Sequence, residues 1–443
     1  MPNHLSWGGP LSIFAALGGV TNAPDSDPNP PSPRPRAPEG WPGGVWKAGT
    51  GASEQDPGLT DGSGWSALIE ELERAGRFVN AEGAPANDRD RSEGWRHLSS
   101  LLRMGIGELL EPADPDRPRF RWSDGNGKWG LDCSDALYCQ APVRAGAVYR
   151  VRGQRGSVHF MGLQLIGRMA ALSDLDADQL EVDSQGRFEL IVGGEQRPGN
   201  WLALPEGAST LIVRQFFYDW DSEIPATFEI ERIDDGEVRP PPNLPNGAIV
   251  QQLGAIGRFV HDNTEWWARI SHEKREVVNT FPNDAGGLGN VGAGSQKYQS
   301  FGIGYFQLKD DEGLLVEVTP PKAKYWSLHL GNYWMESMDF ANHQSSLNGH
   351  QAILDPDGVF RAVVSRADPG VPNWLDTTGL REGSMIYRWN QADGNPIPRA
   401  RVIALDRLRE ALPASTGNVT PEQRSAAVER RRQHIRRRYG RPL

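Results

Sequence analysis

Cysteine is scarce in this chain: Cys133 and Cys139, with five residues between them, are the whole supply in 443 residues. Two cysteines cannot make a disulfide framework or a cysteine-rich zinc site, so two partly buried thiols are expected, with one disulfide as the alternative. Long apolar runs are also missing. No stretch approaches the roughly 18 apolar residues of a membrane helix, and the early run LSIFAALGGV is short and follows no Lys or Arg. Neither a membrane span nor a signal peptide is expected, and the expected location is cytoplasmic. Positive charge is in deficit, with 47 Lys and Arg against 57 Asp and Glu and a net charge of −10. That balance disfavours a general polyanion binder, so nucleic acid is not the expected partner.

Several catalytic signatures are absent too. There is no G-x-S-x-G elbow and no H-E-x-x-H helix. His329, His343 and His350, even with Glu336 or Asp339, lack metal-ligand spacing, and no metal or cofactor is expected. The glycine-rich NDAGGLGNVGAGS at Asn283–Ser295 lacks the G-K-[ST] ending of a phosphate loop. It is expected to be a flexible lid or a turn cluster beside a cleft.

What is present reads as a folded chain with many turns, 38% apolar and 9% aromatic, with 51 Gly and 34 Pro. Residues 1–62 are dominated by Gly, Pro, Ser and Asp and read as a weakly ordered tail. Residues 63–128 carry helical spacing in WSALIEELERAGRFV and WRHLSSLLRMGIGELLE, followed by prolines and a turn-rich tract. A first β unit over 129–248 and a second over 301–411 show short β-prone runs separated by Gly, Asp or Pro. An amphipathic helix and the glycine-rich segment connect them over 249–300, and a basic helix ends the chain over 412–443. Thr420, Pro421 and Gln423 fit its cap, first residue and capping-box partner.

The two β units repeat one pattern. Asp183–Gly186, Asn200–Leu202 and Arg214 recur in order as Asp355–Gly358, Asn373–Leu375 and Arg388, with each interval 14 residues in the first copy and 15 in the second. The copies are placed at 148–232 and 324–408, each opening on a tyrosine-led strand at Tyr149 or Tyr325. In this pattern D-x-x-G makes a hairpin turn, Asn200 and Asn373 turn the chain and cap their own backbone, Trp201 and Trp374 enter the cores, and the arginine crosses a strand surface.

The second copy differs by its wealth of aromatic and ionisable groups in YWSLHLGNYWMESMDFANHQ. Strand alternation puts Trp326, Leu328 and Leu330 on one face and Tyr325, Ser327 and His329 on the other. Tyr305, Trp326, His329, Trp334, Asn342 and Arg388 are the candidate ligand-binding residues. Glu336, Asp339 and His343 are the candidate acids and bases.

The tracts YWSLHLGNYW, LDPDGVFRAVVS and VPNWLDTTGLREGSMIYRWN resemble the bacterial family defined by the domain of unknown function 1214. The likeness covers Asn279–Leu405, with Asp357–Gly358, Asn373–Leu375 and Arg388 as its marks, and the region from Trp129 to Ile233 is similar to the extra N-terminal β region of longer relatives. Where many relatives carry an arginine, an aromatic and a proline, this chain has RWNQADGNPIP. The resemblance implies an antiparallel jelly-roll-like sandwich; with the internal repeat and the helical tracts, the expected fold is mainly β with helical additions, in two related antiparallel jelly-roll-like sandwich units. It brings no reaction with it. The leading expectation is a site in the second β unit for a small polyhydroxy or aromatic molecule. A hydrolase or lyase using Asp, Glu and His, and a structural or protein-interaction module, are the alternatives, and self-association is left open.

Overall fold

The computed structural model describes residues 57–110, 114–123, 125, 127–130, 132–167, 170–234, 247–282 and 299–440. Residues 1–56 of the expected tail and the glycine-rich Asn283–Ser295 segment lie outside the described residues. The helical layer opens with α1 (Pro57–Thr60), α2 (Ser63–Val79) and α3 (Asp88–Leu109).

The first unit holds β1 (Arg121–Trp122), β2 (Ala136–Pro142), β3 (Tyr149–Gln154), β4 (Phe160–Gly167), β5 (Ala170–Asp176), β6 (Arg187–Val192), β7 (Trp201–Leu202), β8 (Thr210–Phe216) and β9 (Thr227–Arg232). After α4 (Ala248–Lys274) the second holds β10 (Gln299–Gln307), β11 (Glu312–Val318), β12 (Ala323–Gly331), β13 (Ser346–Asn348), β14 (Phe360–Ser365), β15 (Trp374–Asp376), β16 (Glu382–Ala392) and β17 (Arg399–Ala404). The short α5 (Leu408–Ala411) and the long α6 (Pro421–Tyr439) finish the chain. Among the described residues, no helix is long and apolar enough to cross a membrane.

Each unit consists of two sheets. In the first they run β1-β2-β8-β4-β5 and β7-β6-β3-β9; in the second, β10-β16-β12-β13 and β15-β14-β11-β17. With β1 set aside, the orders match strand for strand. Two of the four sheets are mixed rather than wholly antiparallel, because β6 pairs with β7 and β14 with β15 in parallel. Jelly-roll closure is not among the pairings, which leave four open sheets. Alternation fills each core: Leu137, Val151, Leu163, Leu190 and Val213 meet in the first unit, and Phe306, Val316, Leu328, Ala362 and Tyr387 in the second. Fully burying one such large side chain contributes about 1.5–3 kcal/mol.

The repeated residues hold the parallel strand in both units. Asn200 Nδ2 donates to the carbonyls of Glu181 and Glu189 and its Oδ1 accepts from the Glu181 amide. Asn373 does the same with Ile353 and Arg361. The Trp201 indole donates to the Gly193 carbonyl and the Trp374 indole to that of Ser365, although Trp201 is only partly buried. Gly186 and Gly358 close the two D-x-x-G turns at φ 75° and 78°, a left-handed region that favours glycine. Arg214 and Arg388 fall on the matching strands β8 and β16. The tyrosines do not match: Tyr149 lies on β3, whose counterpart is β11, whereas Tyr325 lies on β12, the counterpart of β4. Lacking strand order, the sequence pattern meets matching strands of the two units from the D-x-x-G turn onward, but not at the two tyrosines.

Two helical pieces join the units. The helical layer α2–α4 packs through Ala75, Leu101, Phe259 and Val260. At Gly94 of α3, a Cβ would come within 2.9 Å of the Trp334 ring, so glycine lets this helix lie directly on the second unit. Helix α6 begins at Pro421 with the expected capping box. Its Arg431 donates to the Phe340 carbonyl and to Ser346 in the second unit, while Arg438 donates to the Ser134 carbonyl and lies over the Phe217 and Trp220 rings of the first. Between them His434 donates from Nδ1 to the Trp220 carbonyl and accepts at Nε2 from Arg438. Burial, then the Arg438 charge, push its pKa down to about 2, which keeps the ring neutral for that pairing.

Two outcomes follow for stability. Asn373→Ala removes three hydrogen bonds between the buried Asn373 amide and the part-buried backbone of Ile353 and Arg361, and is expected to cost about 2 kcal/mol in urea unfolding, more than the more exposed Asn200→Ala at about 1 kcal/mol. Removing residues 420–443 takes Ile435, Arg431 and Arg438 out of the seam and should lower the calorimetric midpoint; an unchanged midpoint would show that α6 is only decorative.

Candidate functional site

The outer face of the β10-β16-β12-β13 sheet is polar, yet it is buried. Along β16, Met385, Tyr387 and Trp389 enter the core, so Ser384, Ile386, Arg388 and Asn390 project from the opposite face. The register sets Tyr325 opposite Asn390, Ser327 opposite Arg388, His329 opposite Ile386 and Gly331 opposite Ser384. The expected alternation of β12 is therefore present. Trp326 lies on the core side, packed edge-on against Phe360 at 5.1 Å, so it is a core residue and not a cleft residue.

An outer sheet face would normally meet water. Here one end is covered by Cys133, Phe160 and Phe216 of the first unit, which pack on Tyr325. The other end is covered by Trp267, Ile270 and Met335, which pack on Ile303 and Ile386. Between them Ser384 is 0%, His329 and Asn390 are 1% and Arg388 is 8% exposed. Among the described residues, both ring nitrogens of His329, the Ser384 hydroxyl and both ends of the Asn390 amide find no hydrogen-bond partner. Leaving one such group unsatisfied costs roughly 1–3 kcal/mol, so a cluster of them calls for something polar to complete it. Burial, then the Arg388 charge, hold the His329 pKa well below its usual value. The neutral ring offers one donor and one acceptor.

Beside this face sits a satisfied network. Asp135 accepts from the Tyr325 hydroxyl at 2.7 Å, the Trp220 indole at 2.9 Å and the Asn348 amide at 3.0 Å. Cys133 Sγ lies 3.3 Å from the same hydroxyl, and burial raises its pKa, which favours the thiol over a nucleophilic thiolate. Both cysteines are free and buried, so the thiol reading holds and the disulfide does not.

The remaining candidates fall into two further groups. Tyr305 donates to Glu382 at 2.9 Å, and Glu382 pairs with Arg275 at 2.8 Å. In the same layer Trp334 stacks on His97 at 5.3 Å, and His97 Nδ1 meets Glu336 at 2.8 Å. Asp339, Asn342 and His343 form a turn elsewhere, where the Asn342 amide donates to Asp339 and His343 Nδ1 meets Asp376 at 2.7 Å. Glu336 is thus engaged with His97, apart from the turn that carries the other two expected acids and bases. Among the described residues, no group of three His, Cys, Asp or Glu comes together as a metal site. Ser384 and Asn390 escaped the sequence reading, although alternation through GSMIYRWN around Arg388 carried the signal. His97 carried none, since it reaches Glu336 from 239 residues away.

The family described as a protein of unknown function (DUF1214) matches residues 313–393, a span that runs from within β11 through the end of β16 and includes Arg388. An uncharacterized protein from Burkholderia cenocepacia, known from its crystal structure, is 34% identical, with 79% of this chain and 99% of that chain covered and a TM-score of 0.72. A Vibrio parahaemolyticus protein covers 76% of this chain and 100% of its own at 9% identity, but its TM-score of 0.41 is too low to carry an argument. No curated protein matches. Covering 79% of this chain at 34% identity, the Burkholderia likeness, with the family match, shows that the chain belongs to the DUF1214 family of bacterial proteins.

Proposed function

We propose that the protein binds a small polar molecule, of polyhydroxy character, on the covered outer face of β12 and β16. The observation that carries this reading is the set of buried, unpartnered polar groups of His329, Ser384 and Asn390 beside Arg388. Hydroxyl groups both donate and accept, so they match an amide, a neutral imidazole and a serine better than an apolar ligand would. The reading also takes the two β units as copies of one duplicated unit, supported by their matching strand orders and asparagine contacts. On that view the first unit serves mainly to cover the site in the second.

The test is to identify small molecules released on denaturing the purified protein and to return them in a thermal-shift assay. His329→Leu and Asn390→Leu replace unpartnered polar groups by apolar ones of similar size, so the empty variants should melt at or above the wild-type midpoint. Both should lose the shift given by the returned ligand. A ligand-induced shift that survives in both variants would remove this face as the site.

A second reading, acid–base chemistry at His343, is favoured by its geometry alone: a half-exposed imidazole held by the Asp376 carboxylate. That hydrogen bond raises the His343 pKa above its ordinary 6.5. The pair's contribution to stability is therefore complete below about pH 6.5 and fades as pH rises through the higher folded-state value. By NMR titration, His343 should show a midpoint above that of Asp376→Asn. Equal midpoints would dismiss the pairing, and a hydrolase or lyase activity unaltered in His343→Gln would dismiss the reading.

A further inference from the structure

Resting on the binding reading above, we infer that the helical layer α2–α4 is the cover that lifts to admit the ligand, while the first β unit stays in place. The face requires a moving part. Ser384, His329 and Asn390 are all buried, so no molecule reaches them while both covers are closed. Trp267 and Ile270 of α4 rest on Ile303 and Ile386, and His329 lies opposite Ile386. Lifting this layer therefore bares the row of the sheet that carries His329.

The two seams differ in how they are held. Across the first-unit seam Asp135 accepts from the Tyr325 hydroxyl and the Asn348 amide, and that amide also reaches the Phe217 carbonyl at 3.3 Å. Helix α6 straps both units over this seam: Arg431 donates to Ser346 at 2.6 Å, and His434 sits between the Trp220 carbonyl and Arg438. Charge-assisted bonds of this kind are the strong ones. The seam does strand the Ser134 hydroxyl and one Arg438 nitrogen, but Arg438 keeps two other donors engaged. The helical seam is pinned by His97 to Glu336 and by Arg275 to Glu382, each at 2.8 Å. Yet among the described residues it leaves four buried polar atoms without a partner: Asp90 Oδ1, His97 Nε2 and the indole nitrogens of Trp267 and Trp334. Water satisfies all four once the seam parts, so opening recovers part of its cost. Met335, packed with Trp267, is held at φ 55°, a left-handed conformation that strains a residue with a side chain and persists only where packing enforces it.

The experiment uses the natural histidines and cysteines of the full chain. His97 marks the helical seam, His434 the first-unit seam and His329 the face between them, and all three are buried. Cys139, in the core of the first unit, reports unfolding. The free chain is treated with diethylpyrocarbonate, which acylates neutral imidazole, or with a maleimide, and each site is followed by peptide mass mapping, with rates taken relative to the unfolded chain. His97 and His329 should react at least about 10-fold faster than His434, as expected where one element opens more easily than the whole chain unfolds. Trp267→Ala, which loosens the helical cover, should speed both by about 10-fold or more and leave His434 unchanged; the wild-type comparison needs no variant to fold. His434 reacting with His329 while His97 stays protected would overturn the inference in favour of the first unit as the moving cover. One common rate for all three histidines and Cys139 would overturn it as well, since only unfolding would then open the face. These readouts involve no ligand, so they fail separately from the binding reading. A helical cover that moves in a chain that releases no small molecule on denaturation would overturn the entry role together with that reading, and leave the opening itself standing.

Discussion

Asp135 gathers hydrogen bonds from Trp220, Tyr325 and Asn348, three residues drawn from both β units, into one buried carboxylate. Burial alone would push it toward its neutral form, and burial does raise its pKa. Its donors and the charges of Arg438 and Arg431 oppose that shift. Those arginines arrive on α6, which begins nearly 300 residues later in the chain. The seam therefore depends on one charge network, and the first unit, the second unit and the last helix each supply part of it. Losing any one partner would strand the others in a medium where an unpaired charge is costly.

That constraint explains why the outer face of β12 and β16 is buried. Once the Asp135 network fixes Tyr325 against Phe160 and Phe216, the first unit lies over one end of the sheet. Helix α4 closes the other end through Trp267 and Ile270. Polar side chains that would be ordinary on an exposed sheet become isolated between two apolar covers. Their chemistry then differs from that in water: burial favours the neutral His329 ring and the protonated Cys133 thiol, and every hydrogen bond made there counts for more.

Much of the scaffold was legible from local pattern. The D-x-x-G turns and the asparagines that follow them form matching contacts in both units, because a turn and its neighbouring strand are close in sequence. The start of α6 at Pro421 was also legible, since its cap, proline and glutamine are adjacent residues. Alternation separated Leu328 and Leu330 from Ser327 and His329 correctly on β12. The same rule put Trp326 with the core residues, and counting it also as a ligand residue set its aromatic character above its strand parity.

The gathering of the site was not legible. Ten residues of mixed polarity from Trp334 to His343 invited a single cleft, but Trp334 and Glu336 turn inward to His97 while Asp339 and His343 stay with a surface turn. Sequence proximity says little about which side of a tight turn each side chain takes. By itself, the sequence determined the strands, their core faces, the repeated turn chemistry and the final helix, because each is governed by periodicity or by neighbours a few residues apart. Tertiary structure alone decided that His329 and Asn390 are buried and, among the described residues, without partners, because that depends on which sheet covers which, a packing choice made between residues more than a hundred positions apart.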